Sequence, residues 1–394
     1  MNYDKLVNPT VDMLPPSGIR KFFDIVATMK DAISLGVGEP DFVTPWAIRE
    51  AGIYSLESGQ TYYTANSGLM ELREEIVRYN KRKFNVEYDA KTQVLVSVGG
   101  SEAIDAMIRA VVCPGDEVII PEPSFVCYKP LTIMAGGKPV VLETKEENNF
   151  RLMPEELREK ITDRTKLLIL PFPNNPTGAV MSKTDLEAIA EVLKGTDILV
   201  LSDEIYGELR YSDETHTPFS AIEGMYDRTV IVNGFSKAFA MTGWRLGYAM
   251  GPERIIKLMT KIHQFGIMSS PTTSQYAAIE ALKNCDNEVE DMCREYNYRR
   301  RVIVDGFRDM GLSCFEPYGA FYVFPCIKKT GMTSDEFCNR LLQEEKVAVV
   351  PGTAFGECGE GFIRCSYAYS IDNIEEALRR ISRFVSKHIK QDLI

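Results

Sequence analysis

Val94-Leu95-Val96-Ser97-Val98-Gly99-Gly100-Ser101-Glu102-Ala103-Ile104-Asp105-Ala106-Met107-Ile108-Arg109 is the stretch on which the fold turns. It opens with a short apolar run, the pattern of a buried strand. Gly99-Gly100 turns the chain, and from Ser101 the apolar residues recur at helical spacing. Further apolar runs follow at 117–120, 140–142, 167–170, 198–201, 230–232 and 246–250, with helical periodicity near 183–194, 253–265 and 272–283. Such alternation predicts an α/β domain around a mostly parallel sheet flanked by helices. After about residue 287 the texture changes. A charged helix near 287–310 leads to Gly319-Ala320-Phe321-Tyr322-Val323-Phe324. A helix near 333–344, strands near 347–350 and 362–366 and a closing amphipathic helix near 371–388 follow. This predicts a smaller α+β domain over 287–394 and a large domain over 46–286. Residues 1–45, rich in Pro and Gly, are expected to pack with the smaller domain and near a subunit partner.

The most informative side chain lies in Gly234-Phe235-Ser236-Lys237-Ala238-Phe239-Ala240-Met241-Thr242-Gly243-Trp244-Arg245-Leu246-Gly247. One lysine stands beside a serine and eight residues before an arginine. A lysine amine forms a Schiff base with an aldehyde. A hydroxyl and a guanidinium hold a phosphate. A ligand that is both aldehyde and phosphate ester satisfies all three groups, which points to pyridoxal phosphate.

Other stations lie just past predicted strands, and each has a plainer reading. Gly99-Gly100-Ser101 offers backbone N–H groups and a positive helix end to an anion, or is simply a tight turn. Pro121-Glu122-Pro123-Ser124-Phe125-Val126-Cys127-Tyr128 ends a strand with prolines. Phe125 then stacks on a flat heteroaromatic ring or fills the core. Pro173-Asn174-Asn175-Pro176-Thr177-Gly178 lies beyond a strand end, where open parallel sheets bind ligands. Its asparagines offer a rigid amide donor or merely build a turn.

In Ser202-Asp203-Glu204-Ile205-Tyr206, alternation puts Asp203 and Ile205 on one face. A carboxylate there can keep a pyridinium nitrogen protonated. Ile205 would cover the ring face opposite Phe125, and Tyr206 would bond a phenolate oxygen. The plain alternative is a solvated or helix-capping acid. Gly361-Phe362-Ile363-Arg364-Cys365-Ser366-Tyr367 sets one arginine in an apolar strand, either in a structural salt bridge or as a bidentate clamp for a substrate α-carboxylate.

Composition bounds the rest. The 394 residues suffice for two domains, and 45% are hydrophobic. A net charge of −11 argues against nucleic-acid or anionic-membrane partners. Arg299-Arg300-Arg301 reads as one solvated helix face. Nine cysteines without a CxxC pair read as reduced thiols. His216, His263 and His388 match no zinc spacing, so no metal is expected. No apolar run approaches the length of a membrane span and no signal segment is visible, so the expected location is cytoplasmic.

The six stations together, in this order, resemble the class I/II aminotransferases of PLP fold type I over essentially the whole chain. The Lys237 segment fits the lysine signature of that family at every position. The Asn174-Asn175-Pro176-Thr177-Gly178, Ser202-to-Tyr206 and Gly361-to-Tyr367 segments are similarly typical. The nearest subgroup contains bacterial aspartate, aromatic and N-acetyl-LL-diaminopimelate aminotransferases.

The resemblance implies that Lys237 binds the cofactor aldehyde and shuttles the substrate Cα proton. Asp203 would pair with the pyridine nitrogen, with Asn175 and Tyr206 at its phenolic oxygen. Gly99, Gly100, Ser101, Ser236 and Arg245 would hold the phosphate, and Phe125 would stack on the ring. Arg364, with backbone near Gly38 and the Asn175 amide, would bind the substrate. Tyr63 would reach the phosphate of a neighbouring subunit in a homodimer. Arg109 and Lys129 are nearby cations by motif position, and Tyr62, Phe22, Phe23 and Tyr322 could line an aromatic pocket. The implied reaction is ping-pong transfer from an L-amino acid to a 2-oxo acid. A PLP-dependent C–S β-lyase usually carries His where Tyr206 stands. A non-catalytic PLP-sensing domain would carry a DNA-binding module and a basic surface, which this chain lacks.

Overall fold

Strands rich in Val, Ile and Leu on both faces need helices on both faces, and the architecture follows from that requirement. The computed structural model describes residues 1, 3–16, 29, 31–212 and 214–389. Its strands are β1 (Ile33–Ser34), β2 (Val94–Ser97), β3 (Glu117–Glu122), β4 (Lys138–Glu143), β5 (Thr165–Leu170), β6 (Leu199–Asp203), β7 (Thr229–Gly234), β8 (Gly247–Met250), β9 (Tyr322–Val323), β10 (Val347–Ala348), β11 (Val350–Pro351) and β12 (Ile363–Ser366). A seven-stranded sheet has the order β2-β8-β7-β6-β5-β3-β4. Strands β4, β3, β5, β6 and β7 pair in parallel. Strand β8 runs antiparallel to both β7 and β2, so the sheet is mixed rather than uniform.

Alternation along each strand sends successive side chains to opposite layers. Leu95, Leu167, Ile169 and Val230 face the helices Gly100–Val111 and Glu253–Gly266 through Ile104, Met107 and Ile256. Leu168, Leu170 and Val200 face Leu186, Ile189 and Leu193 of the helix Lys183–Leu193. Val94, Val96 and Ile231 meet Leu72, Ile76 and Ala277 from the helices Met70–Phe84 and Thr272–Asn284. The helix Lys183–Leu193 starts at a reciprocal cap: Ser182 Oγ accepts from the Asp185 N–H, and the Asp185 carboxylate accepts from the Ser182 N–H.

The strand over 117–120 runs on through Pro121 to Glu122. Pro121 is tolerated because pairing with β5 ends at Ile119, leaving only β4 alongside. The helix Trp46–Glu57 was not legible from periodicity. It exposes Trp46, Ile53, Tyr54 and Leu56 while burying Ile48, which blurs its amphipathic pattern.

The later elements gather around a second cluster that includes Phe307, Phe321, Phe337, Ile363 and Phe384. There β11, β12 and β9 form an antiparallel sheet. The closing helix Ile371–His388 buries Ile374, Ala377, Leu378, Ile381, Phe384 and Val385, a stripe of helical period. From the other end of the chain, β1 pairs in parallel with β10. All nine cysteines are free thiols and only Cys113 is exposed. No helix among the described residues is long and apolar enough to cross a membrane.

The arginine run on the helix Asp286–Asp309 differs from the expected solvated face. Arg301 is exposed, but Arg299 and Arg300 are buried. Arg299 donates to both oxygens of Asp41 at 2.9 Å and to Glu295 at 2.8 Å. Arg300 pairs with Glu316 and donates to the Pro317 carbonyl at 3.3 Å. Buried guanidinium groups need such partners. Asp41→Asn should therefore destabilise the protein by about 1–2 kcal/mol, Glu295 retaining part of the pairing. Urea unfolding measures this, and an unchanged midpoint would mean that the pair adds nothing net.

Candidate active site

The carboxyl ends of β2, β3, β5, β6 and β7 open onto one edge of the large sheet, where parallel sheets expose their ligand-binding loops. Because β8 is antiparallel, its first residue lies at that same edge and brings Arg245 with it. A cavity of about 390 Å³ forms there. It draws together Gly38, Gly100, Ser101, Phe125, Asn175, Asp203, Tyr206, Ser236, Lys237, Arg245 and Arg364. Gly99 adjoins it as the residue before the helix Gly100–Val111.

Two glycines make the turn beside this helix. Gly99 has φ +79°, and a Cβ there would lie 2.7 Å from Arg245 Nη2. A Cβ on Gly247 would lie 2.7 Å from both the Gly100 nitrogen and the Gly99 carbonyl carbon. The turn therefore sits against the start of β8 with no room for a side chain. Glu102 fastens it further, accepting from the Val98 N–H at 2.5 Å and facing His263 Nδ1 at 2.6 Å. Arg245 donates to the Thr242 carbonyl at 3.0 Å. Among the described residues no carboxylate lies within ion-pair distance of Arg245.

Lys237 follows β7 and donates to the Gly38 carbonyl at 2.6 Å. The exposed part of its side chain faces the cavity. Burial lowers its pKa to about 8; Glu39 opposes that shift, while Arg364 and Arg245 reinforce it. Asp203 ends β6 and is buried. Burial raises its pKa to about 6 against the hydrogen bonds it receives. Its oxygens accept from Tyr128 Oη at 2.7 Å and from the Ile205 N–H at 3.3 Å. Tyr128, three residues past Phe125 and the first residue of the helix Tyr128–Met134, has no role that its motif foretells. Ile205 lines the cavity as alternation predicts.

The two asparagines divide the work. Asn174 builds the turn, accepting from the Thr177 N–H and hydroxyl. Asn175 lines the cavity and accepts from Arg364 Nη1 at 3.0 Å. Arg364 also donates to the Gly36 carbonyl, and its guanidinium lies over the rings of Tyr322 and Phe355 at 4.5 and 4.8 Å. It is 2% exposed, its Nε is buried without a hydrogen-bond partner, and no carboxylate pairs with it among the described residues. The structural salt bridge is thus not found. Tyr206 Oη lies 2.9 Å from Tyr322 Oη.

Other expected residues lie elsewhere. Arg109 pairs with Asp105 at 2.8 Å and Lys129 with Glu122 at 3.1 Å, and neither lines the cavity. Tyr62 and Tyr63 are exposed and border a shallow concavity with Ser269 to Thr272. Phe22 and Phe23 lie outside the described residues. Tyr322, expected in an aromatic pocket, does line the cavity, as do Glu39 and Thr242, to which the sequence assigns no role.

The family described as aminotransferase class I and II matches residues 30–381. An aspartate aminotransferase of Pyrococcus abyssi (strain GE5 / Orsay) is 48% identical over 375 residues, 95% of this chain and 96% of that one. Aromatic-amino-acid aminotransferase 2 of Thermococcus litoralis is 43% identical over 379 residues, 96% of this chain and 97% of that one. The crystal structure of an aromatic aminotransferase from Pyrococcus horikoshii OT3 superposes with a TM-score of 0.89 at 44% identity, covering 94% of this chain and 99% of that one.

Two outcomes follow from the geometry and charge. Between about pH 8 and pH 10.5 the unfolded chain holds a proton on Lys237 that the folded, cofactor-free protein does not. Stability therefore rises with pH across that window, and below it the half-buried ammonium costs about 3 kcal/mol. Cofactor-free Lys237→Met should be about 1–3 kcal/mol more stable than cofactor-free parent at pH 7, and the gap should close toward pH 10.5. Urea melts at both pH values decide it; equal stability at pH 7 contradicts the buried charge. Gly247→Ala should push back the Gly99-Gly100 backbone and weaken affinity for pyridoxal phosphate roughly tenfold or more. Fluorescence titration measures this, and unchanged affinity would show that the turn bears on no ligand.

Proposed function

The chain belongs to the aminotransferase class I and II family, and on that premise we propose that the cavity around Lys237 is where it transfers an amino group, with pyridoxal phosphate as cofactor. One juxtaposition supports this reading most strongly. A half-buried amine and a buried carboxylate, both shifted toward their uncharged forms, share a cavity with one buried and one exposed guanidinium, neither of which pairs with a carboxylate among the described residues.

These residues fit that cofactor. No cation pairs directly with Asp203 among the described residues, and a protonated ring nitrogen would supply one. Arg245, Ser236, Ser101 and the backbone of Gly99 and Gly100 suit a phosphate. Phe125 and Ile205 suit the two faces of a flat ring, and Asn175 and Tyr206 suit its phenolic oxygen. When bound, pyridoxal phosphate supplies an aldehyde that condenses with amines and a ring that draws electrons from the carbon being deprotonated.

Lys237 Nζ would hold the cofactor through its aldehyde and would be set free when a donor amine binds there. Its pKa of about 8 then leaves it able to take the Cα proton near neutral pH and to return it later in the cycle. Asp203 keeps the ring nitrogen protonated throughout. Arg364 holds the α-carboxylate, its partnerless Nε included, with Asn175 and the Gly38 backbone beside it. With one water consumed, the donor would leave as its 2-oxo acid while its amino group stays behind on the cofactor, and a second 2-oxo acid would take that group up by the same proton movements in reverse, returning the water.

The donor in this reading is of the aspartate, aromatic or N-acetyl-LL-diaminopimelate type, with 2-oxoglutarate as acceptor. The division into a large domain over 46–286 and a small one over 287–394 is supported by the three-stranded sheet of β9, β11 and β12, which shares no strand with the seven-stranded sheet, and the docking of residues 1–45 on the small domain by the β1–β10 pair. A cytoplasmic homodimer completes the proposal. Exposed Val43, Tyr54, Tyr62, Tyr63 and Phe265 offer apolar surface for a second copy, whose phosphate site Tyr63 would reach.

The protein supplied with pyridoxal phosphate should be yellow, and Lys237→Ala should lose the visible band; a colourless parent refutes the site. Arg364→Ala should raise the donor KM severely, about a hundredfold, with the cofactor still bound. Unchanged donor kinetics would remove Arg364 from substrate binding. Mixing the loaded protein with single amino acids and following the spectrum separates the three donor types, and release of pyruvate and ammonia would indicate a lyase.

A further inference from the structure

Tyr322 is 1% exposed and faces the cavity from β9, yet nothing in the transfer reaction so far employs it. Its hydroxyl lies 2.9 Å from that of Tyr206. Its ring lies against the Arg364 guanidinium, with 4.5 Å between Cζ and the ring centroid. A Cβ on Gly38 would stand 2.5 Å from its Oη, so only a glycine lets this segment come so close. Gly38 is also the residue whose carbonyl accepts from Lys237. One side chain thus meets the phenol, the guanidinium and the backbone that surround the reacting amine.

We propose that Tyr322 is a positioning residue with two separable tasks: its hydroxyl donates to Tyr206 and frees the Tyr206 proton to point into the cavity, and its ring face holds the Arg364 guanidinium ready for a carboxylate. The inference rests on the reading that Tyr206 meets the phenolic oxygen of the cofactor and Arg364 the substrate carboxylate. The direction of the hydrogen bond follows from relative acidity. Burial raises both phenols, and the guanidinium against its ring offsets that rise most directly at Tyr322. The 2.9 Å separation allows either hydroxyl to donate, and the cation 4.5 Å from the Tyr322 ring favours Tyr322 as the donor. A phenol that accepts a hydrogen bond is polarised into a better donor itself. The charged groups near this pair are Arg364 and Lys237, whose Nζ is 6.0 Å from the Tyr206 ring centroid, and Asp203. The ring task follows from the absence of any carboxylate on Arg364 among the described residues: two carbonyl-type acceptors and two aromatic faces are what hold it.

The test uses cofactor-loaded protein and two readouts other than turnover. One is the pH midpoint of the visible band. The other is affinity for two carboxylates that lack an amine, succinate and 3-phenylpropionate. Loss of a donor at the phenolic oxygen leaves more electron density on the ring system and moves the midpoint upward. Tyr206→Phe should raise it. Tyr322→Phe should raise it less, by about half a unit, while carboxylate affinity stays within roughly twofold. Tyr322→Leu, or Tyr322→Met if the leucine variant does not fold, should give the same midpoint change and weaken carboxylate binding about tenfold. Tyr322→Phe added to Tyr206→Phe should move the midpoint no further.

A shifted Tyr206→Phe beside an unshifted Tyr322→Phe overturns the proposal alone. An unshifted Tyr206→Phe overturns it together with the reading of Tyr206. A further shift in the double variant overturns the route through Tyr206. Equal carboxylate affinities in the phenylalanine and leucine variants overturn the ring task, and a parent that binds neither carboxylate overturns that task along with the reading of Arg364.

Discussion

Asp203 receives hydrogen bonds only from Tyr128 and the Ile205 backbone, so among the described residues no cation pairs directly with its buried charge, and Lys237 offsets only a small part of the cost of burial. Arg364 shows the mirror image, a buried guanidinium with which no carboxylate pairs among the described residues. Removing such groups from water opposes folding unless something pairs with them. The large sheet and its helices over-determine their positions and carry that cost. Stability given up in the cavity is regained when a molecule with a phosphate, a protonated ring and a carboxylate enters, because whatever binds only the folded state stabilises it. The site is therefore defined less by the contacts it makes than by those it leaves open.

The geometry that keeps these charges apart from one another comes from strand direction. Parallel β5, β6 and β7 deliver Asn175, Asp203 and Lys237 from their carboxyl ends. The reversed β8 supplies Arg245 from its amino end. Arg364 arrives from the other side on β12, next to the segment from β1 that lends the Gly36 and Gly38 carbonyls. Each ligand thus sits on or directly beside a rigid element, which is what holding reacting groups in register requires.

Much of this was legible in the sequence. The apolar runs marked the strands because a strand buried on both faces has no polar alternative, and glycine and proline placed the turns. The site residues were legible through the order of their motifs, since each one alone had an ordinary explanation. What escaped had physical reasons. The antiparallel course of β8 depends on pairing that a short apolar run does not encode. The burial of Arg299 and Arg300 depends on Asp41 and Glu316, distant in sequence from the run itself. Tyr128 looks like a core aromatic by pattern and Tyr322 reads only as a pocket-lining ring, and their polar tips matter only where folding brings them to Asp203 and Tyr206.

The connection from β7 to β8 leaves and rejoins the sheet at a fixed pair, Gly234 opposite Gly247. Between them Phe235, Ala238, Phe239 and Met241 are as buried as the strands. Connecting segments ordinarily gain and lose residues freely because they run over the surface. This one has lost that freedom. One residue added or removed between Lys237 and Arg245 could be absorbed neither by sliding β8, which would turn its side chains to the wrong layer, nor by bulging into solvent. In its tolerance of length change the segment behaves as interior, and the spacing of its lysine and arginine is fixed with the same rigour as the register of the sheet.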